Sequence, residues 1–87
     1  MLPLNFALLK LFTDLEEADV NIVMDKLRDK YGHFRAFKRP ALIEALMTAE
    51  TNGLLEETHF DPDEKGTLRV FYRATDEGRA MIKKYIG

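Results

Sequence analysis

No cysteine occurs in this 87-residue chain, so no disulfide framework or thiolate metal site can form, and its fold must be held by packing alone. A chain of this length accommodates one domain, since domains usually run from about 50 to 200 residues and no stretch has the composition of a linker. The expectation is a single core built from residues 1–87. Hydrophobic residues make up 46% of the chain and charged residues 32%, which suits an apolar interior under a solvated surface and argues against wholesale disorder. The opening Met1-Leu2-Pro3-Leu4 lacks a basic leader, and Asn5 and Lys10 interrupt the apolar run to Phe12. Neither a signal peptide nor a membrane span is expected, and a cytoplasmic location is.

Hydrophobic spacing gives the elements that must supply this core. Leu4 to Phe12 is almost continuously apolar and predicts a first helix, with Phe6, Leu8, Leu9, Leu11 and Phe12 covering more than one face. Such a helix either lies centrally in the monomer or turns one side to a second copy. Thr13 and Asp14 are each followed three residues later by Glu16 and Glu17, so both read as capping boxes at a helix start. From Asp19, the residues Val20, Val23, Met24, Leu27 and Tyr31 form one stripe of a second helix that stops at Gly32. Ile22 points away from that stripe and meets Leu15 and Ala18 if the helix begins earlier; the two starts remain open.

The segment Gly32 to Phe37 predicts a turn, with Phe34 and Phe37 available to pin it to the core. A third helix over about 40–52 starts near Pro40, whose fixed φ and missing N–H suit the first helical position, and stops at Asn52-Gly53. Leu42, Leu46 and Ala49 make its inner stripe, Ile43 and Met47 flank that stripe, and Ala41, Glu44, Thr48 and Thr51 face outward. Leu54 to Phe60 and Thr67 to Arg73 are rich in β-formers and predict a hairpin across Asp61–Gly66. Alternation assigns Leu68, Val70 and Tyr72 to the core and leaves Arg69, Phe71 and Arg73 in water. Thr75 then caps a last helix, Asp76 and Glu77 suit its positive end, and Met81, Ile82, Tyr85 and Ile86 form its apolar side. The order α-α-α-β-β-α predicts an α+β winged helix-turn-helix: a three-helix core, a two-stranded hairpin wing over 54–73, and a C-terminal helix.

The net charge of −2 disfavours a strongly electrostatic binder of nucleic acid, but the charges are unevenly spread. Lys26, Arg28, Lys30, Arg35, Lys38 and Arg39 face one acid, Asp29, over 26–39, whereas 14–25 carries five acids and no base. This gives either a molecule with a positive side or an ordinary mixed surface. Small and polar residues on the outer face of the third helix, with Lys38 and Arg39 at its leading end, suit entry into a DNA groove as well as plain solvent exposure.

Catalytic chemistry finds no footing. Serine and cysteine are absent, and no base stands obviously beside a threonine. His33 and His59 lie 26 positions apart with no partner at ligand spacing. Asp61-x-Asp63-x-x-Gly66 begins like a calcium loop but has Lys65 at position five and Tyr72 at position twelve. The glycines form neither a phosphate loop nor a dinucleotide fingerprint. No enzyme, cofactor or metal site is expected.

Three segments carry a resemblance: Pro40-Ala41-Leu42-Ile43-Glu44-Ala45-Leu46, Gly53-Leu54-Leu55-Glu56-Glu57, and Arg69 through Tyr72-Arg73-Ala74-Thr75-Asp76-Glu77-Gly78-Arg79. Together they resemble the winged-helix bacterial transcription regulators of the PadR-like group, and much of the pattern is shared with MarR-like proteins. In that group a helix of the form leucine, two spacers, alanine-leucine leads to glycine-leucine, a basic wing, and a threonine-x-x-glycine-arginine helix start. The resemblance covers roughly Val20 to Met81. It implies a small DNA-binding regulator whose partner is double-stranded DNA, with Lys38, Arg39, Ala41 and Thr48 on the groove side of the third helix and Lys65 and Arg69 on the wing. Arg35 joins these as a candidate phosphate contact from the basic 26–39 stretch. The sequence departs from the group at Ile43, often a tyrosine there, at Glu44, and at the acidic wing tip of Asp61, Asp63 and Glu64. The group's long C-terminal dimerisation helix has no counterpart before Gly87, so a homodimer is expected to use the first helix, the last helix, or both. The alternative expectation is a winged-helix protein-interaction module that does not bind DNA and dimerises through the first helix.

Overall fold

The computed structural model describes residues 1–87 and comprises α1 (Leu4–Asp14), α2 (Val20–Tyr31), α3 (Arg39–Thr51), β1 (Leu55–Pro62), β2 (Leu68–Ala74) and α4 (Asp76–Tyr85). Leu4, Leu8 and Phe12 of α1, Val23, Leu27 and Tyr31 of α2, and Leu42, Leu46 and Ala49 of α3 share one core with Leu55, Tyr72 and Ala74 of the strands. Helix α1 therefore buries one stripe, and Phe6 on its other side stays 48% exposed. No helix is long and apolar enough to cross a membrane.

The junction between α1 and α2 settles where α2 begins and corrects the capping-box expectation. Helix α1 continues through Asp14, and the Thr13 hydroxyl donates to the Lys10 carbonyl instead of capping. Residues after it run extended because Ala18 exchanges two backbone hydrogen bonds of 2.9 Å with Tyr72 of β2. A helix through Ala18 would forfeit both bonds and leave buried backbone groups unpaired. Asp19 is the N-cap, its Oδ1 accepting from the Ile22 N–H at 2.9 Å.

Helix α3 has Lys38 as its N-cap residue and Pro40 in its first turn, and Asn52 ends it before Gly53, whose φ of +81° only glycine adopts without strain. The strands pair antiparallel from Leu55 opposite Ala74 to Pro62 opposite Leu68, with Thr58 bulged between Glu57 and His59. At the wing tip Asp63 Oδ1 accepts from the N–H groups of Lys65 and Thr67 at 2.9 and 2.8 Å, and Gly66 takes φ +80°. One of the acidic tip residues is thus occupied in forming the turn.

Strand β2 does not follow the simple alternation. Phe71, expected in water, is buried, whereas Leu68, expected in the core, is 55% exposed. The strand outruns the core at its Leu68 end, and along its free edge Ala18 pairs with Tyr72, which sets Glu17 3.6 Å from His59 and Asp19 2.9 Å from Arg69. There the His59 ring stacks on Phe71 at 4.5 Å, and the Arg69 guanidinium lies 4.8 Å from the same ring centroid. Arg73 remains exposed beside Glu56 at 3.4 Å.

Candidate nucleic-acid interface

Helix α3 presents Arg39, Pro40, Ile43, Glu44, Met47, Thr48 and Thr51 around one open hollow on its outer side. The inner stripe centres on Leu42, Leu46 and Ala49, so at ~100° per residue the opposite direction falls between Glu44 and Thr51, with Met47 beside them. Met47 is 54% exposed and Ile43 36%. Their spacing assigns both to the flanks of the buried stripe, because apolar residues at helical spacing ordinarily pack inward; here they open to solvent. Ala41 and Thr48 are exposed as expected, but they also border a separate hollow against Asn5 and Leu9 of α1, toward the edge of the outer face.

The cations divide into free and engaged. Arg35, in the turn before α3, and Lys38, at its start, are exposed and form no ion pair, as is Lys65 at the wing tip. Arg39 is half-buried, its guanidinium donating to the Asn21 amide oxygen and tying the start of α3 to the first turn of α2. Arg69 donates from Nε to Asp19 Oδ2 at 2.9 Å, and that carboxylate is 1% exposed. A buried carboxylate needs such a partner, because an unpaired charge in that position is costly. Arg69 therefore joins the wing to the N-terminus of α2, and its remaining guanidinium nitrogens are the part left for other contacts. Sequence reasoning could not find Asn21 or Asp19 as the partners, since they lie 18 and 50 positions away from Arg39 and Arg69.

Arg39 and Arg69 meet on one cleft of about 190 Å³ between α3 and β2, lined further by Ile43, Met47, Leu68 and Val70. Of the seven candidates, the structure brings Arg39 and Arg69 to this cleft, Arg39 and Thr48 to the outer hollow of α3, and Ala41 and Thr48 to the hollow against α1, while Arg35 and Lys38 stand near the start of α3 and Lys65 at the far end of the wing. Behind the cleft, burial raises the pKa of the Tyr72 phenol, helped by the charges of Glu50 and Glu57. The Glu50 carboxyl is itself raised from its ordinary 4.5, by desolvation first, then by the charge of Glu57 and a hydrogen bond with it.

The frame that carries this surface matches solved structures. Bacillus subtilis PadR in complex with operator DNA superposes with a TM-score of 0.76 over 95% of this chain, at 17% identity. The fold is a PadR-like winged helix. A PadR-like transcriptional regulator from Bacillus cereus gives a TM-score of 0.70 at 20% identity, covering 95% of this chain and 77% of its own. A transcriptional regulator from Clostridium thermocellum gives 0.71 at 23% identity, covering 95% and 76%. The chain spans 46% of the length of the Bacillus subtilis protein. No family model matches the sequence, and no curated protein does. In this winged helix the glycine-leucine and threonine-x-x-glycine-arginine motifs have one physical origin. Thr75 Oγ1 accepts from the Gly78 N–H at 2.8 Å and donates to the Gly53 carbonyl at 2.7 Å, while Arg79 reaches the Thr13 carbonyl at 3.3 Å.

Proposed function

We propose that this chain is a DNA-binding transcriptional regulator, acting in the cytoplasm, that lays α3 in the major groove and sets the hairpin over 54–73 against the neighbouring backbone. The observation that carries the reading is the outer face of α3, uncovered by the chain and led by two unpaired cations, Arg35 and Lys38. An α-helix of about 10–12 Å diameter fits a major groove about 12 Å wide, and cations beside the leading end reach the flanking phosphates. The likeness to a regulator solved with operator DNA supports the same use of the same elements. Arg39, Ala41 and Thr48 border the groove side of α3, Lys65 reaches phosphate from the wing tip, and Arg69 contributes from the wing root through the nitrogens that Asp19 leaves free.

Fluorescence anisotropy with a pool of duplexes tests this. Affinity should fall steeply as salt rises, and the double substitution Arg35→Ala and Lys38→Ala should lower the log–log slope by about two, near one for each phosphate no longer neutralised. Absence of binding at low salt to any duplex, with the fold intact by circular dichroism, would remove the proposal. A second reading, a protein-interaction module, is favoured by one observation: a wholly apolar cleft of about 160 Å³ between α1 and α4, lined by Phe6, Leu9, Leu54, Met81, Tyr85 and Ile86 among others. A second copy of the chain is its best occupant, and on the DNA-binding reading that contact also supplies the dimer.

A further inference from the structure

Resting on the DNA-binding reading, we infer that α3 selects its half-site through thymine methyl groups, contacted by Met47 and Ile43, and that Glu44 bars guanine beneath it. The major-groove edge of guanine offers two acceptors and is read by paired donors, above all arginine. On the outer face of α3 the only side chain with paired donors is Arg39, at the first residue of the helix. One of its guanidinium nitrogens is held by Asn21, and after it the helix contains no Arg, Lys, Asn or Gln. The Thr51 hydroxyl donates to the Met47 carbonyl at 3.0 Å, so its donor is spent as well. Past Arg39 and beside the single hydroxyl of Thr48, what the face offers is apolar: Met47 is 54% exposed and Ile43 36%, one turn apart on the groove side. In the major groove the one apolar group on a base is the C5 methyl of thymine. Between these residues and Thr48, Glu44 is acceptor-only when ionised. It can take a hydrogen bond from the amino group of cytosine or adenine, but it repels O6 and N7 of guanine and leaves both unsatisfied. Attraction to thymine and rejection of guanine thus come from adjacent side chains on one helix face.

The test uses the full chain and duplexes recovered from a random pool by binding. Replacing the thymines of the recovered half-site one at a time by deoxyuridine removes only the methyl, and each contacted position should weaken binding about fourfold. Met47→Ala should abolish that difference at one or more positions and leave affinity for the uracil duplex nearly unchanged. Because Met47 is exposed, the substitution should not disturb folding. Glu44→Gln, which introduces a donor, should admit guanine at a position the native chain excludes. Equal affinity for thymine and uracil duplexes, or recovered sites with guanine under Glu44, would overturn the inference while DNA binding itself stood. Failure to recover any bound duplex would overturn both.

Discussion

Glu50 on α3 and Glu57 on β1 form a like-charge pair beside the Tyr72 phenol, an arrangement that works against the fold at neutral pH. With its pKa above the ordinary 4.5, Glu50 binds its proton more tightly in the folded chain than in the unfolded one. The folded state is then favoured on the acid side, and this stabilisation is lost as pH rises from about 4.5 through the raised value. Glu57→Gln removes the repelling charge and keeps a side chain able to hydrogen-bond. The variant should melt roughly 2–4 °C above the native chain at pH 7, with the difference shrinking at pH 4, where Glu50 holds its proton and carries no charge for Glu57 to repel. Differential scanning calorimetry at the two pH values checks it; an equal gain at both would show that the pair's charge is not the cause. The Asp19–Arg69 pair is the opposite case, unlike charges at 2.9 Å with the carboxylate 1% exposed. Its contribution is to fix the wing root against α2.

Among the elements, α4 is positioned by a close backbone approach at Gly78, the tightest at any glycine of the chain. A Cβ built on Gly78 would lie 2.0 Å from the Leu54 carbonyl oxygen, a backbone atom that cannot swing aside. Helix propensity alone makes Gly→Ala favourable by about 1 kcal/mol, but the clash forces α4 away from the Leu54 backbone ahead of β1 and costs more. Gly78→Ala should therefore be destabilised by about 2–3 kcal/mol, with Tm lower by roughly 10–20 °C in thermal denaturation. A neutral or stabilised variant would mean that α4 shifts freely. Element boundaries were legible in the sequence where local chemistry sets them. The start and stop of α3 and the Thr75 cap are written in Pro40, Asn52-Gly53 and Thr75 itself, and they could be read directly. The start of α2 was not, because Ala18 is held extended by Tyr72, a partner 54 positions on that neighbouring residues do not reveal. The burial of Phe71 under His59 and Arg69 is non-local in the same way. Met47 was placed on the flank of the inner stripe, and the structure adds how far that flank opens, leaving the side chain 54% exposed.

At the scale of the whole molecule, the surface of α1 and α4 bears on assembly. Phe6 and Met81 are each 48% exposed and Tyr85 68%, around a cleft whose lining carries no polar side chain other than the Tyr85 hydroxyl. Clustered apolar exposure of this kind on a small domain marks an interface more often than an accident of composition. A winged helix that reads DNA as a dimer places its two recognition helices on half-sites about one helical turn, 34–36 Å, apart, so the contact between copies sets the operator spacing. If α1 and α4 form that contact, light scattering should give twice the chain mass, and Met81→Glu with Tyr85→Glu should return it to the monomer with the circular dichroism unchanged. Both residues are exposed, so the charges cost the monomer little, while burying them across an interface costs several kcal/mol. Binding to a duplex with two half-sites should then drop by about tenfold or more, toward that of a single half-site, because the second binding event no longer benefits from the effective concentration supplied by the first. A native chain that stays monomeric at high concentration and binds both duplexes equally would assign this apolar surface to a different partner and leave each α3 to read its half-site alone.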